Sequence, residues 1–144
     1  MNRYDDAAKI LHERFHRDSL ISIATVSGGR PYVRTVDGLY EEGAFFVVTY
    51  ALSNKMKQIE KNPEVALCGE WFTAHGVGEN LGHVRDAQHA PIMAKLREAF
   101  AAWYGNGHVN EEDPNTCLLR VRLTSGVLFN QETKYEVDFV NKTA

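Results

Sequence analysis

The stretch from Gly29 to Pro63, GRPYVRTVDGLYEEGAFFVVTYALSNKMKQIEKNP, most constrains what this 144-residue chain can fold into. Two β-rich segments meet at a tight Glu41-Glu42-Gly43 turn. Ser53-Asn54-Lys55 then opens a brief helix that stops at Asn62-Pro63. A hydroxyl, an amide and an ammonium at a helix N-terminus make a ready anion site. Free backbone N–H groups point outward there, and the helix macrodipole favours negative charge. Arg34 lies just upstream, on a strand it shares with Tyr32 and Val36, all three on one face. The pattern points to a phosphate-bearing ligand.

The flanking sequence supplies a helix first, then more strands. Residues from about Asp5 to Arg17 read as helix, with Ala7, Leu11 and Phe15 at i, i+4 spacing and Asp5 and Asp6 in the first turn. Leu20 to Val26 reads as a strand stopped by Ser27-Gly28-Gly29, and Tyr32 to Val36 as its hairpin partner. Ala44 to Tyr50 is apolar enough to be buried on both faces. Val65 to Trp71 is a fourth strand, and Phe72 to Arg85 a glycine-rich strand with irregular ends. Pro91 to Tyr104 is a second, longer helix, with Pro91 in its first turn and Gly105 as its stop. Cys117 to Thr124 alternates, Gly126 to Phe129 continues it, and Tyr135, Val137 and Phe139 alternate again. Six or seven short strands without regular βαβ alternation predict a mainly β, α+β chain. Its expected form is an antiparallel barrel with an N-terminal helix and one longer helix between strands.

Composition removes several function classes. A net charge of −3 argues against a nucleic-acid or acidic-membrane footprint. No segment reaches the roughly 18 apolar residues of a membrane span, and MNRYDDAAK lacks a signal-peptide apolar region. Two cysteines, Cys68 and Cys117, fit a reduced, cytoplasmic protein. Cys68, in the apolar run Val65-Ala66-Leu67-Cys68, reads as a buried thiol. His12-Glu13-Arg14-Phe15-His16 matches the H-E-x-x-H zinc signature, but both histidines flank the apolar helix face on the solvent side. No third ligand follows, so no metal site is expected. The glycines of His75 to Gly82 fit neither phosphate-loop spacing. They read instead as places where backbone comes close to a flat ligand or a partner chain. Trp71 and Phe72 can stack on an aromatic ligand, with core packing the simpler reading. No nucleophile–base arrangement or carboxylate pair stands out, so the catalytic residues are left open.

Three segments carry a resemblance to a known family: Gly29-Arg30-Pro31-Tyr32-Val33-Arg34-Thr35-Val36, Phe46 to Lys55 and Gln58 to Leu67. Together they look like the pyridoxamine 5′-phosphate oxidase family of flavin-binding split β-barrels. Thr116 to Val121 and Gly126 to Phe129 look like its smaller FMN-binding relatives. The resemblance implies one FMN-binding split-barrel domain over residues 1–144, acting as a homodimer with FMN between subunits. It implies that Arg34, Ser53, Asn54 and Lys55 hold the FMN phosphate. Thr35 and Val36 would lie along the ring edge, Thr49 and Tyr50 along the ribityl and ring side, and Trp71 near the pocket shared by the dimer. An oxidoreductase with a small-molecule redox substrate follows from it, and a non-catalytic flavin or haem binder is the alternative. Two places depart from the family. Asn54 stands where the oxidase has an Arg, a neutral amide in place of a charged fork. Tyr135 to Val140 lacks the Arg/His motif that grips pyridoxal phosphate.

Overall fold

The computed structural model describes residues 2–144. Helix α1 (Arg3–Phe15) is capped by the Asn2 side chain and buries Ala7, Leu11 and Phe15. The strands are β1 (Ser19–Ser27), β2 (Arg30–Glu41), β3 (Ala44–Tyr50), β4 (Glu64–Gly69), β5 (Phe72–His83), β6 (Thr116–Asn130) and β7 (Thr133–Asp138). Helix α2 (Asn54–Lys61) links β3 to β4. Helix α3 (Ala90–Ala99) and the single turn α4 (Ala101–Trp103) lie between β5 and β6.

The strands form one antiparallel sheet in the order β3-β2-β1-β4-β5-β6-β7, and a further β3–β6 pairing closes the first six into a barrel. Alternation along each strand sends one set of side chains into the barrel. Ile21, Ile23, Phe45, Val47, Val65, Leu67, Leu119 and Val121 meet there, under a lid formed by α1. A second core lies outside the barrel wall, where Met93, Leu96 and Phe100 of the α3 segment cover Leu39, Leu118, Phe46 and Val48. That cover is why β3 is apolar on both of its faces.

Four local readings are corrected. β2 runs past Val36 to Glu41, because Gly38 is a strand residue: a Cβ there would come within 2.9 Å of Ile21 Cδ1. The fourth strand ends at Gly69, and Trp71 occupies a left-handed turn at φ 54°. The long helix breaks at Phe100, whose fully buried ring stacks on Trp103 at 4.9 Å. The chain then turns through Tyr104–His108, with Gly107 at φ 97°. Gly76 and Gly78 are needed by contacts within the chain itself. A Cβ on Gly76 would meet the Arg122 carbonyl oxygen at 2.8 Å, and one on Gly78 would meet Ile59 at 2.9 Å. These glycines let β6 and α2 seat closely on β5.

Candidate functional site

β2 and β3 pair only over Leu39–Glu41. Beyond that point the two strands part, and β2 from Arg30 to Gly38 pairs with β1 alone. A strand edge without a partner presents unpaired backbone N–H and C=O groups. Arg34 and Thr49 rise from the two sides of this split, and α2 stands at its mouth. Ser53 caps α2, its hydroxyl accepting the Met56 N–H at 3.3 Å. Capping fixes the first turn, and the first turn aims Lys55 inward.

Lys55 is only 8 % exposed. Its Nζ donates to Thr49 Oγ1 at 2.6 Å. Burial and the charge of Arg34 both push its pKa below the ordinary lysine value, with Cys117 opposing. Burial likewise lowers that of Arg34. Arg34 donates to Thr25 Oγ1 (2.9 Å), Gln58 Oε1 (2.9 Å) and the Ile23 carbonyl (3.2 Å). Among the described residues, every ion pair involves other cations; no carboxylate lies within 4.0 Å of Arg34 or Lys55. Two neighbouring cations, both desolvated, with Arg34 disfavouring the charge on Lys55 and no acid beside them, form an electrostatic arrangement that an anion would complete.

Arg34, Thr49, Ser53 and Lys55 are thus brought together at the mouth of the split. The other expected residues distribute around it. Thr35 is exposed on the outer face of β2 and Val36 packs against the barrel core; backbone groups alternate between the two edges of a strand, so only one of these neighbours turns its own to the open edge. Tyr50 is 43 % exposed at the end of β3, and Asn54 is exposed on the first turn of α2. Trp71 is 69 % exposed, contrary to core packing. Ser22 pairs with Cys68, so Trp71 lies beyond that end of β1, whereas Arg34 and Gln58 meet at Thr25, toward the other end. One chain therefore does not bring Trp71 to the cation pair. Sequence reading missed Thr25 and Gln58, whose contact joins β1 to the second turn of α2. His12 and His16 stack at 4.3 Å, and His16 Nδ1 lies 2.8 Å from the Tyr40 carbonyl.

The outer face of the sheet holds a shallow groove of about 520 Å3, lined by Ala24, Val33, Ala66, Cys68, His75 and Val127 among others. Cys68 is exposed there, a correction to its reading as buried; Cys117 is buried. The misreading has a simple cause. Val65 and Leu67 face the core, but the outward positions Ala66 and Cys68 belong to a face that is itself apolar.

The profile of the family described as pyridoxamine 5′-phosphate oxidase matches residues 8–128. No curated protein sequence matches the chain. Among solved structures, General Stress Protein 26 from Bacillus anthracis superimposes with a TM-score of 0.67 at 17 % identity, over 95 % of this chain and all of that one. A FAD-binding protein from Mesorhizobium loti gives 0.64 at 14 % identity, over 84 % and 89 %. A heme-binding protein from Mycobacterium smegmatis gives 0.65 at 14 % identity, over 87 % of this chain and 55 % of its own. At these identities the likeness is one of fold. No helix among the described residues is long and apolar enough to cross a membrane.

Proposed function

The chain belongs to the pyridoxamine 5′-phosphate oxidase family, and from that premise we propose that it is an FMN-binding flavoprotein whose cofactor phosphate docks between Arg34 and Lys55. One observation carries this reading: a buried lysine and a half-buried arginine oppose each other with no acid between them. A phosphomonoester dianion supplies the missing charge, and a charge-assisted hydrogen bond is about twice as strong as a neutral one. Lys55 and Arg34 bind the phosphate, the Ser53 hydroxyl keeps a proton to donate, and Asn54 offers an amide. The free edge of β2 at Thr35 presents backbone groups to the polar rim of a ring, Val36 backs it from the barrel side, and Thr49 and Tyr50 line the approach. FMN, when bound, supplies hydride and one-electron chemistry, which makes an oxidoreductase acting on a small-molecule redox substrate the activity in view. The protein contributes position and charge.

The outer face completes the proposal. Val33 (71 % exposed) lines the apolar groove, and Leu20 (70 %) on β1 and Trp71 (69 %) after β4 are further exposed apolar side chains outside its lining. A second copy of the chain seated there forms a homodimer, with FMN held where the split opens toward the partner. The positive φ of an exposed Trp71 supports a role for it in that contact.

The direct experiment is to purify the protein, record its visible spectrum, and titrate the apo form with FMN. A yellow preparation, or saturable FMN uptake, is expected; a colourless protein that takes up no FMN would sink the proposal. One observation favours a second reading, a non-catalytic haem binder: His75 stands in the apolar groove, exposed and able to ligate iron. That reading expects a haem spectrum on hemin addition, abolished by His75→Ala.

A further inference from the structure

Behind Arg34 lies a polar network that the family match does not explain. Thr25 is fully buried on β1, where a hydroxyl is costly unless bonded. It is bonded twice. It donates to Gln58 Oε1 at 2.5 Å and accepts from Arg34 Nη1 at 2.9 Å. Gln58 Oε1 also accepts from Arg34 Nη2 at 2.9 Å. The guanidinium is therefore gripped by three neutral oxygens, those of Thr25, Gln58 and the Ile23 carbonyl. Among the described residues, its Nε–H and one Nη2 N–H have no hydrogen-bond partner. An arginine partly withdrawn from water is usually paired with a carboxylate, and a glutamate has the same reach as Gln58. Glutamine provides the same acceptor oxygen without the charge. Gln58 also lies three residues from Lys55, on the same face of α2.

We propose that Gln58, with Thr25, is a positioning pair that fixes the Arg34 fork while leaving its charge uncompensated, and so makes the site select a phosphomonoester dianion over the same ligand without phosphate. This rests on the reading that the Arg34–Lys55 site takes a phosphate. It adds that a neutral residue at position 58 is a determinant of ligand charge.

The test measures FMN and riboflavin affinity side by side, in wild type, Gln58→Glu, Gln58→Met and Thr25→Val, with a thermal melt of each apo protein. Wild type is expected to prefer FMN. In Gln58→Glu the introduced carboxylate pairs with Arg34 and faces Lys55. FMN affinity should then fall at least about tenfold while riboflavin affinity holds and the apo melt stays level or rises. Gln58→Met, which loses the grip but adds no charge, should fall less, and Thr25→Val should fall similarly to Gln58→Met. A purely structural role predicts the reverse order, because glutamate keeps the acceptor that methionine lacks. A wild type that binds riboflavin as tightly as FMN would overturn both the phosphate reading and this one. A wild type that prefers FMN, with a Gln58→Glu variant of unchanged preference, would overturn this inference alone. Should Gln58→Glu fail to fold, an FMN-to-riboflavin ratio left intact by both Gln58→Met and Thr25→Val would overturn it instead.

Discussion

A lysine that is 8 % exposed and faces an arginine is a cost that the apo protein carries. Its folded pKa lies below its unfolded one, so the folded state binds fewer protons at this position. By linkage, the penalty is present at neutral pH and is relieved as pH rises through the depressed folded value toward the ordinary lysine range. Replacing the ammonium by an apolar chain of similar length removes the penalty together with the ligand contact. Lys55→Met is therefore expected to raise apo stability by about 1 kcal/mol, the usual size for relief of a functional compromise. The same variant should lose roughly 1.5–3 kcal/mol of FMN binding, the range for a hydrogen bond to a charged group. Urea unfolding of the apo protein and an FMN titration read the two effects. A variant that is less stable and binds FMN normally would mean that Lys55 is structural. Residues of this kind were legible in the sequence because their positions follow local rules. Ser53 is a capping residue before a short amphipathic run, Lys55 sits two places on, and Arg34 alternates on a strand. Thr25 and Gln58 were not, since their meeting depends on how α2 docks on β1, a contact between residues 33 apart in the chain.

At the scale of elements, the α3 segment is held by a charged cluster as well as by apolar packing. Arg97 makes two hydrogen bonds to Glu111, at 2.9 and 3.0 Å, Tyr104 donates to it at 2.5 Å, and Arg85 approaches at 3.4 Å. The cluster ties α3 and the turn after it to the loop that precedes β6. The Arg97 guanidinium, above all, holds the Glu111 carboxyl down to about 2, against burial, with Tyr104 and Arg85 helping. The folded value is depressed, so the contribution to stability is full above about pH 4.5 and is lost as pH falls toward 2. Glu111→Gln should destabilise by about 1 kcal/mol at neutral pH, a modest figure because the partners are partly exposed. The gap between variant and wild type should close between pH 4.5 and 2 in urea unfolding; a gap of constant size would assign Glu111 a role other than its charge. The elements themselves were largely legible. Alternation placed β6, an apolar β-rich run placed β3, a run stopped by Ser27-Gly28-Gly29 placed β1, and the i, i+4 stripe placed α1. The failures fell where tertiary contact overrides local signal: Gly38 inside a strand because Ile21 needs the space, and Phe100 ending a helix because its ring belongs to the second core.

At the scale of the whole molecule, one apolar face of the barrel has no helix over it among the described residues. α1 lies against the core on one side and α3 over β3 on another, but the outer positions of β1, β4 and β5 have no helix above them. These positions are small: Ser22, Ala24, Ala66, Cys68 and Thr73 line the groove, with Val33 standing 71 % exposed beside them. A flat face of small side chains, bordered by exposed apolar ones, suits another such face better than it suits water. A second copy related by a two-fold axis would present the same patch to its mate. Ala66→Arg places a long charged side chain at the centre of this face without touching the barrel interior, where Val65 and Leu67 point. The variant should keep wild-type circular dichroism and thermal melting within about 0.5 kcal/mol, as an outward substitution does. It should run as a monomer in light scattering, with wild type expected to run as a dimer. If FMN lies between subunits, the monomer should also bind it more weakly than wild type, although Arg34, Ser53 and Lys55 are untouched. A wild type that is monomeric at micromolar concentration would leave the groove to some other occupant. A monomeric variant with full FMN affinity would place the cofactor within one chain and remove Trp71 from its surroundings.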